Sequence, residues 1–152
     1  IMLVALGQGM VLHVGSIDLS NAAIALLSAI VLAKMIGSMG AGAIVLVVVL
    51  CTVIGAVNGF LVAFFQVPSF ALTLGTLGIL QAASLIVSDK TTVYATDTSV
   101  LAPMFGTAIG GLAAAFWTAA ILAVIMWAVL RFTVFGQSLT AVGLNETGAL
   151  FS

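Results

Sequence analysis

A bundle of membrane-spanning helices is the fold class this sequence predicts: all-α and polytopic. Three observations carry that reading. Of the 152 residues, 64% are apolar and only 5% are charged, where a soluble domain carries about 25% charged residues. Mean hydropathy is +1.44. The apolar residues lie in continuous runs of about 20, the length a helix needs to cross a bilayer, and not in the alternating pattern of a membrane barrel. Disorder is excluded, because it requires low hydrophobicity and high charge.

The spans follow in order. Residues 1–12 are apolar but short, so they read as part of a span. The run 14–21 interrupts it with Gly15, Ser16, Asp18, Ser20 and Asn21. Residues 20–36 form the next span, and 37–40 a turn. Residues 41–65 are the longest apolar run. A turn at 66–69 contains Pro68, which removes a backbone donor and restricts the residue before it. Residues 70–87 span again, 88–99 are polar, and 111–130 are the last span. Residues 131–152 are expected to leave the membrane as a loop. The whole is read as one domain, 1–152, and as a piece of a longer protein, since it opens on Ile1 and ends without a tail.

Ridges of small residues recur at four-residue spacing. They run through Asn21, Ala25, Ala29 and Ala33, through Gly55, Gly59 and Ala63, and through Gly111, Ala115, Ala119 and Ala123. Such ridges let helix backbones approach closely in lipid. Trp117 and Trp127 sit towards opposite ends of the last span, where an aromatic belt places them. Lys34, near a helix end, can snorkel to the interface.

Few residues offer chemistry. The one histidine, His13, has no partner for a metal, and the one cysteine, Cys51, lies in an apolar run, so neither a metal site nor a disulfide is expected. No nucleophile is paired with a base, and no phosphate-binding loop occurs, so no catalytic residue is assigned. With a net charge of −1 and no basic run, nucleic acid is not a partner. Asp18 is the only carboxylate flanked by apolar segments on both sides. It is either a cap for the following helix, alone or with Ser20, or a polar element of a transport path. Asn58, mid-span, either bonds across helices or lines that path, and Gln8 and Gln81 read the same way.

Three ordered segments resemble the ribose-type membrane permeases of ATP-binding-cassette sugar importers. They are Gly15-Ser16-Ile17-Asp18-Leu19-Ser20; Asn58-Gly59-Phe60-Leu61-Val62-Ala63 with Val67-Pro68-Ser69-Phe70 and Thr73-Leu74-Gly75-Thr76; and Thr133-Val134-Phe135-Gly136 with Ala141-Val142-Gly143-Leu144-Asn145-Glu146. Ser16 and Leu144 stand where that family usually has glycine, Gly148 where it has alanine, and Leu150 where it has arginine. The resemblance implies a multi-pass subunit of a bacterial plasma (inner) membrane that works as a dimer with a second copy. It also implies a separate ATPase that binds the ATP, and an extracytoplasmic sugar-binding protein. This subunit itself would do no covalent chemistry and need no cofactor. The resemblance further implies that Gly143, Asn145, Glu146, Ala149 and Leu150 belong to a cytoplasmic loop docking on the ATPase, with Asn145 capping a short helix and Glu146 at its positive end. Residues 66–69 would then face the cytoplasm, and 37–40 and 88–99 the outside. The competing expectations are a secondary transporter, which couples through membrane carboxylates, the related branched amino-acid permeases, and a helical scaffold without transport.

Overall fold

The computed structural model describes residues 1–107 and 109–145. Its helices are α1 (Met2–His13), α2 (Asn21–Met39), α3 (Ala41–Phe65), α4 (Ser69–Val87), the single turn α5 (Ala102–Phe105), α6 (Ala114–Phe132) and α7 (Val134–Leu144). Among the described residues, four helices, α2, α3, α4 and α6, are long and apolar enough to cross a membrane. This is an all-α polytopic membrane protein. The chain divides into two compact units, one of residues 18–102 and one of residues 1–17 with 103–152.

In the first unit α2 packs on both α3 and α4, and α3 on α4. Their shared core is Ala23, Leu27 and Leu80, flanked by Ile24, Val31, Ile54, Leu77, Ala83 and Val87. Small Ala23 against branched Leu27 and Leu80 lets the helices interdigitate. The buried line on α2 is therefore Ala23, Leu27 and Ile36. The predicted ridge Asn21, Ala25, Ala29, Ala33 runs beside that line, half-buried apart from exposed Ala29. On α3 only Ala43 and Asn58 are buried, while Val45, Val48, Val53, Phe60 and Phe64 are exposed. In lipid such faces carry no hydrophobic penalty, because acyl chains are as apolar as they are.

The connections are short. Gly40, at φ +53, alone separates α2 from α3, and its N–H bonds the Ile36 carbonyl. Gln66 closes α3 in the left-handed region, and the carbonyl of Pro68 opens α4 by accepting from Ala71 and Leu72. At the far end of α4 the N–H of Lys90 bonds the carbonyl of Leu85 and that of Asp89 the carbonyl of Ile86, a paired closure of the last turn. There the Lys34 ammonium meets the Asp89 carboxylate at 2.7 Å. Lys34 thus reaches an ionic partner from α2, which no local pattern in the sequence foretells.

In the second unit α1, α6 and α7 contact one another. α6 starts at Ala114, three residues later than the apolar run suggests. A turn at Ile109–Gly111 and the Thr107–Ala113 bridge precede it, with Gly110 and Gly111 at positive φ. Of the third small ridge, Ala119 is buried and Ala123 half-buried, while Ala115 is exposed.

The expected loop 131–152 is corrected over its first part: Val134–Leu144 is helical. Thr133 is the reason. Its extended backbone turns the chain, its Oγ1 accepts from the Gly136 N–H at 3.2 Å, and the same hydroxyl donates to the Val129 carbonyl of α6 at 2.6 Å. A side chain on Gly136 would overlap the backbone of Leu130, so the corner closes only on glycine. The Thr133-x-x-Gly136 pattern is thus a helix-to-helix elbow.

Candidate functional site

Asp18, Ser20 and Asn58 lie far apart in sequence, and the fold brings them together. α2 starts, α3 ends and α4 starts at one end of the first unit. Asp18 precedes α2, and its Oδ1 accepts from the backbone N–H of Ser20 at 2.7 Å and from the Ser20 hydroxyl at 2.6 Å. Ser20 is fully buried. Its Oγ in turn accepts from the Asn58 side-chain amide of α3 at 3.0 Å. The Oδ1 of Asn58 accepts from the Thr76 hydroxyl of α4 at 2.9 Å. Beside this chain, the backbone N–H of Leu19 donates to Thr73 Oγ1 at 3.0 Å.

Every donor in the series Thr76, Asn58, Ser20 points towards the Asp18 carboxylate. Aligned hydrogen bonds polarise one another, and the last acceptor is the group best able to use that polarity. Thr76 has one hydroxyl proton for two acceptors, Asn58 and the Leu72 carbonyl at 3.1 Å, so its bond to Asn58 competes with a bond inside α4. Thr73 does both jobs at once, accepting from Leu19 and donating to the Ser69 carbonyl at 2.8 Å. Burial without partners would be costly in lipid, and among the described residues no buried side-chain N or O lacks one.

This geometry resolves two of the choices the sequence leaves open. Asn58 bonds across helices, to α4 and to the residue preceding α2. Asp18 is not a cap in the strict sense: it bonds the N–H of Ser20, outside the helix, and no side chain caps the first turn of α2. The partners Thr73 and Thr76 are legible only as the two hydroxyls of the Thr73-Leu74-Gly75-Thr76 segment, three residues apart and hence on one helix face.

The other site residues fall elsewhere. Gly55, Gly59 and Ala63 are exposed on α3, and nothing lies within 4 Å of where a Cβ would stand on either glycine. That ridge packs on no helix of the described chain. Gly143, on α7, lies against the carbonyl of His13 so closely that a Cβ could not be accommodated. Asn145 closes α7 as its extended C-terminal residue. Glu146, Ala149 and Leu150 lie outside the described residues.

The profile of the family described as the branched-chain amino acid transport system / permease component matches residues 1–152. The chain belongs to this family. Among its relatives are the D-allose transport system permease of Escherichia coli, 31% identical over 99% of this chain and 47% of that protein, and the ribose import permease of Bacillus subtilis, 33% identical over 99% and 48%. The autoinducer 2 import permease of Salmonella typhimurium is 32% identical over 98% and 43%. The chain thus spans about half the length of the curated relatives it matches. No solved structure matches it. The family and these relatives are transport permeases and not enzymes, in keeping with a sequence that pairs no nucleophile with a base.

Proposed function

We propose that this chain is part of the membrane permease subunit of an ATP-binding-cassette importer for a monosaccharide, resident in a bacterial inner membrane. The observation that carries the reading is that relatives matching along the full length of the chain are named as importers of ribose and D-allose, both small polyhydroxylated sugars. A second copy completes the substrate path, an extracytoplasmic binding protein delivers the sugar, and a separate ATPase drives the cycle. Residues 66–69 and the segment after α7 face the cytoplasm, and 37–40 and 88–99 the outside. Gly143, Asn145, Glu146, Ala149 and Leu150 form the ATPase-facing segment. Asp18, Ser20 and Asn58 hold the cytoplasmic ends of three spans. Gly55, Gly59 and Ala63, uncovered in this chain, pack against a helix from elsewhere in the whole protein or from the second copy.

The test is uptake by the full-length permease, reconstituted in vesicles with the ATPase and binding protein encoded beside it. Labelled ribose or allose should accumulate only with ATP inside and binding protein outside. Uptake driven by an ion gradient without ATP would establish a secondary transporter. Uptake of leucine in place of sugar would establish the amino-acid branch.

A further inference from the structure

The break between α1 and α2 is anchored at both of its ends. Its first anchor lies within the unit that holds α1 and α7. Gly15 adopts φ +72 and completes a paired closure of α1, its N–H bonding the Leu12 carbonyl at 3.0 Å and that of Ser16 the Val11 carbonyl at 3.1 Å. Only glycine takes this backbone region without cost. α7 sits directly on this closure, with Gly143 against the backbone of His13 and Val14, and its carbonyl 3.4 Å from where a Gly15 Cβ would be. The second anchor lies within the other unit. The Leu19 N–H is held by Thr73 of α4, and Ser20 by Asn58 of α3. Between Gly15 and Asp18 stand only Ser16 and Ile17. Three residue steps reach at most about 11 Å.

We infer that the Gly15–Ser20 break is a mechanical relay, joining α7 on one side to the hydrogen-bonded ends of α2, α3 and α4 on the other. The inference rests on the importer reading, in which α7 leads into the segment that meets the ATPase. A displacement of α7 moves the closure of α1, because backbone lies on backbone at Gly143 with no flexible side chain between. The short linker passes that displacement to Leu19 and Ser20, whose bonds are discrete and break or re-form instead of stretching. Thr76 is equipped for such a change, since its hydroxyl has the Leu72 carbonyl as a second acceptor when Asn58 moves away.

The experiment uses the full-length permease with its ATPase and binding protein in vesicles. Two glycines inserted between Ser16 and Ile17 leave every anchoring residue in place and add about 7 Å of slack. The ATPase should copurify and hydrolyse ATP, while sugar taken up per ATP falls about tenfold, within the range of coupled sites. Unchanged uptake per ATP overturns the relay. A second measurement needs no variant. Amide exchange at Leu19 in the native complex should change about tenfold when vanadate traps the ATPase, as coupling of that size requires. Identical Leu19 exchange in the trapped and nucleotide-free states of a complex that transports overturns the relay alone. A native complex that takes up no sugar with ATP overturns the importer reading itself.

Discussion

The side-chain amide of Asn58 donates to the hydroxyl of Ser20 across 3.0 Å, joining residues 38 apart in sequence at a buried point between helices. An amide suits this place because it donates at one end and accepts at the other, as Ser20 and Thr76 require. Leucine at position 58 keeps the volume and loses both bonds. Interhelical hydrogen bonds in membranes average about 0.6 kcal/mol and reach about 1.7, so Asn58→Leu should destabilise the full-length protein by about 1–2 kcal/mol. Asn58→Asp should cost more: it cannot donate to Ser20, and it brings a second carboxylate towards Asp18. Thermal unfolding in detergent checks the order, and an Asn58→Asp protein as stable as the wild type would refute it.

The glycines sort by what a Cβ would meet. At Gly143 and Gly136 it would overlap backbone, which cannot swing aside as a side chain can, whereas at Gly59 it would meet nothing within this chain. Overpacking costs about 1–3 kcal/mol. Gly143→Ala and Gly136→Ala should each lower stability by that order, and Gly59→Ala should leave the monomer unchanged. A loss of stability in Gly59→Leu that appears only in the dimer would locate the second copy on that face of α3.

Helix extents were largely legible in the sequence, because apolar run length and the breaks at Gly40 and Pro68 act locally. The last span began late because Gly110 and Gly111 look like small membrane residues until their positive φ is seen. α7 was read as loop because glycines 136 and 143 suggest bending, while their service is close packing. The small ridge on α3 was visible, but the pattern cannot say which surface, if any, covers it. The Asp18 cluster was half legible. Its residues stood out as polar in apolar surroundings, yet the bonds from Leu19 to Thr73 and from Asn58 to Ser20 depend on three helix ends meeting. That is a matter of topology and not of any local period. Lys34 and Asp89, 55 residues apart, pair for the same reason.

That ion pair should contribute little. Asp89 is 77% exposed and Lys34 36%, and exposed pairs are worth about 0–1 kcal/mol and weaken with salt. A double-mutant cycle with Lys34→Ala and Asp89→Ala should give a coupling in that range that fades in high salt. A coupling insensitive to salt would show the pair to be shielded from water in the complete protein.

Asp97, in the polar segment between spans, accepts from the Ser99 backbone N–H at 2.8 Å. That bond, followed by one from the Ser99 hydroxyl, holds its carboxyl below the ordinary 3.8. A depressed folded value means that the turn gains its stability above the unfolded value and loses it as pH falls through the folded one. Titration of the Asp97 carboxyl by NMR should show the depression, and Ser99→Pro, which removes the N–H and the hydroxyl together, should abolish it.

Topology has a direct test. α3 and α4 run in opposite directions, so Gln66 and Thr92 lie at opposite ends of the first unit. Single cysteines at these positions, in a Cys51→Ser background, should react with an impermeant maleimide from opposite sides of the membrane. Labelling of both from one side would overturn the span assignment of α4.

Asp18 decides whether its cluster needs a charge or only an acceptor. Its Oδ1 takes two hydrogen bonds, from the Ser20 N–H and hydroxyl, and an asparagine oxygen in the same place accepts both. Asp18→Asn therefore keeps the geometry and loses the charge, at the difference between charged and neutral bonds, about 1 kcal/mol. Asp18→Ala loses the acceptor altogether, leaving the Ser20 N–H and the end of the Thr76–Asn58–Ser20 series without their terminus, and should cost about 1–3 kcal/mol. If the cluster serves to hold helix ends, sugar uptake by the full-length Asp18→Asn protein stays close to wild type, and Asp18→Ala falls in step with its loss of stability. If the charge itself acts in transport, Asp18→Asn assembles normally with its ATPase and takes up no sugar, and the holding role is refuted.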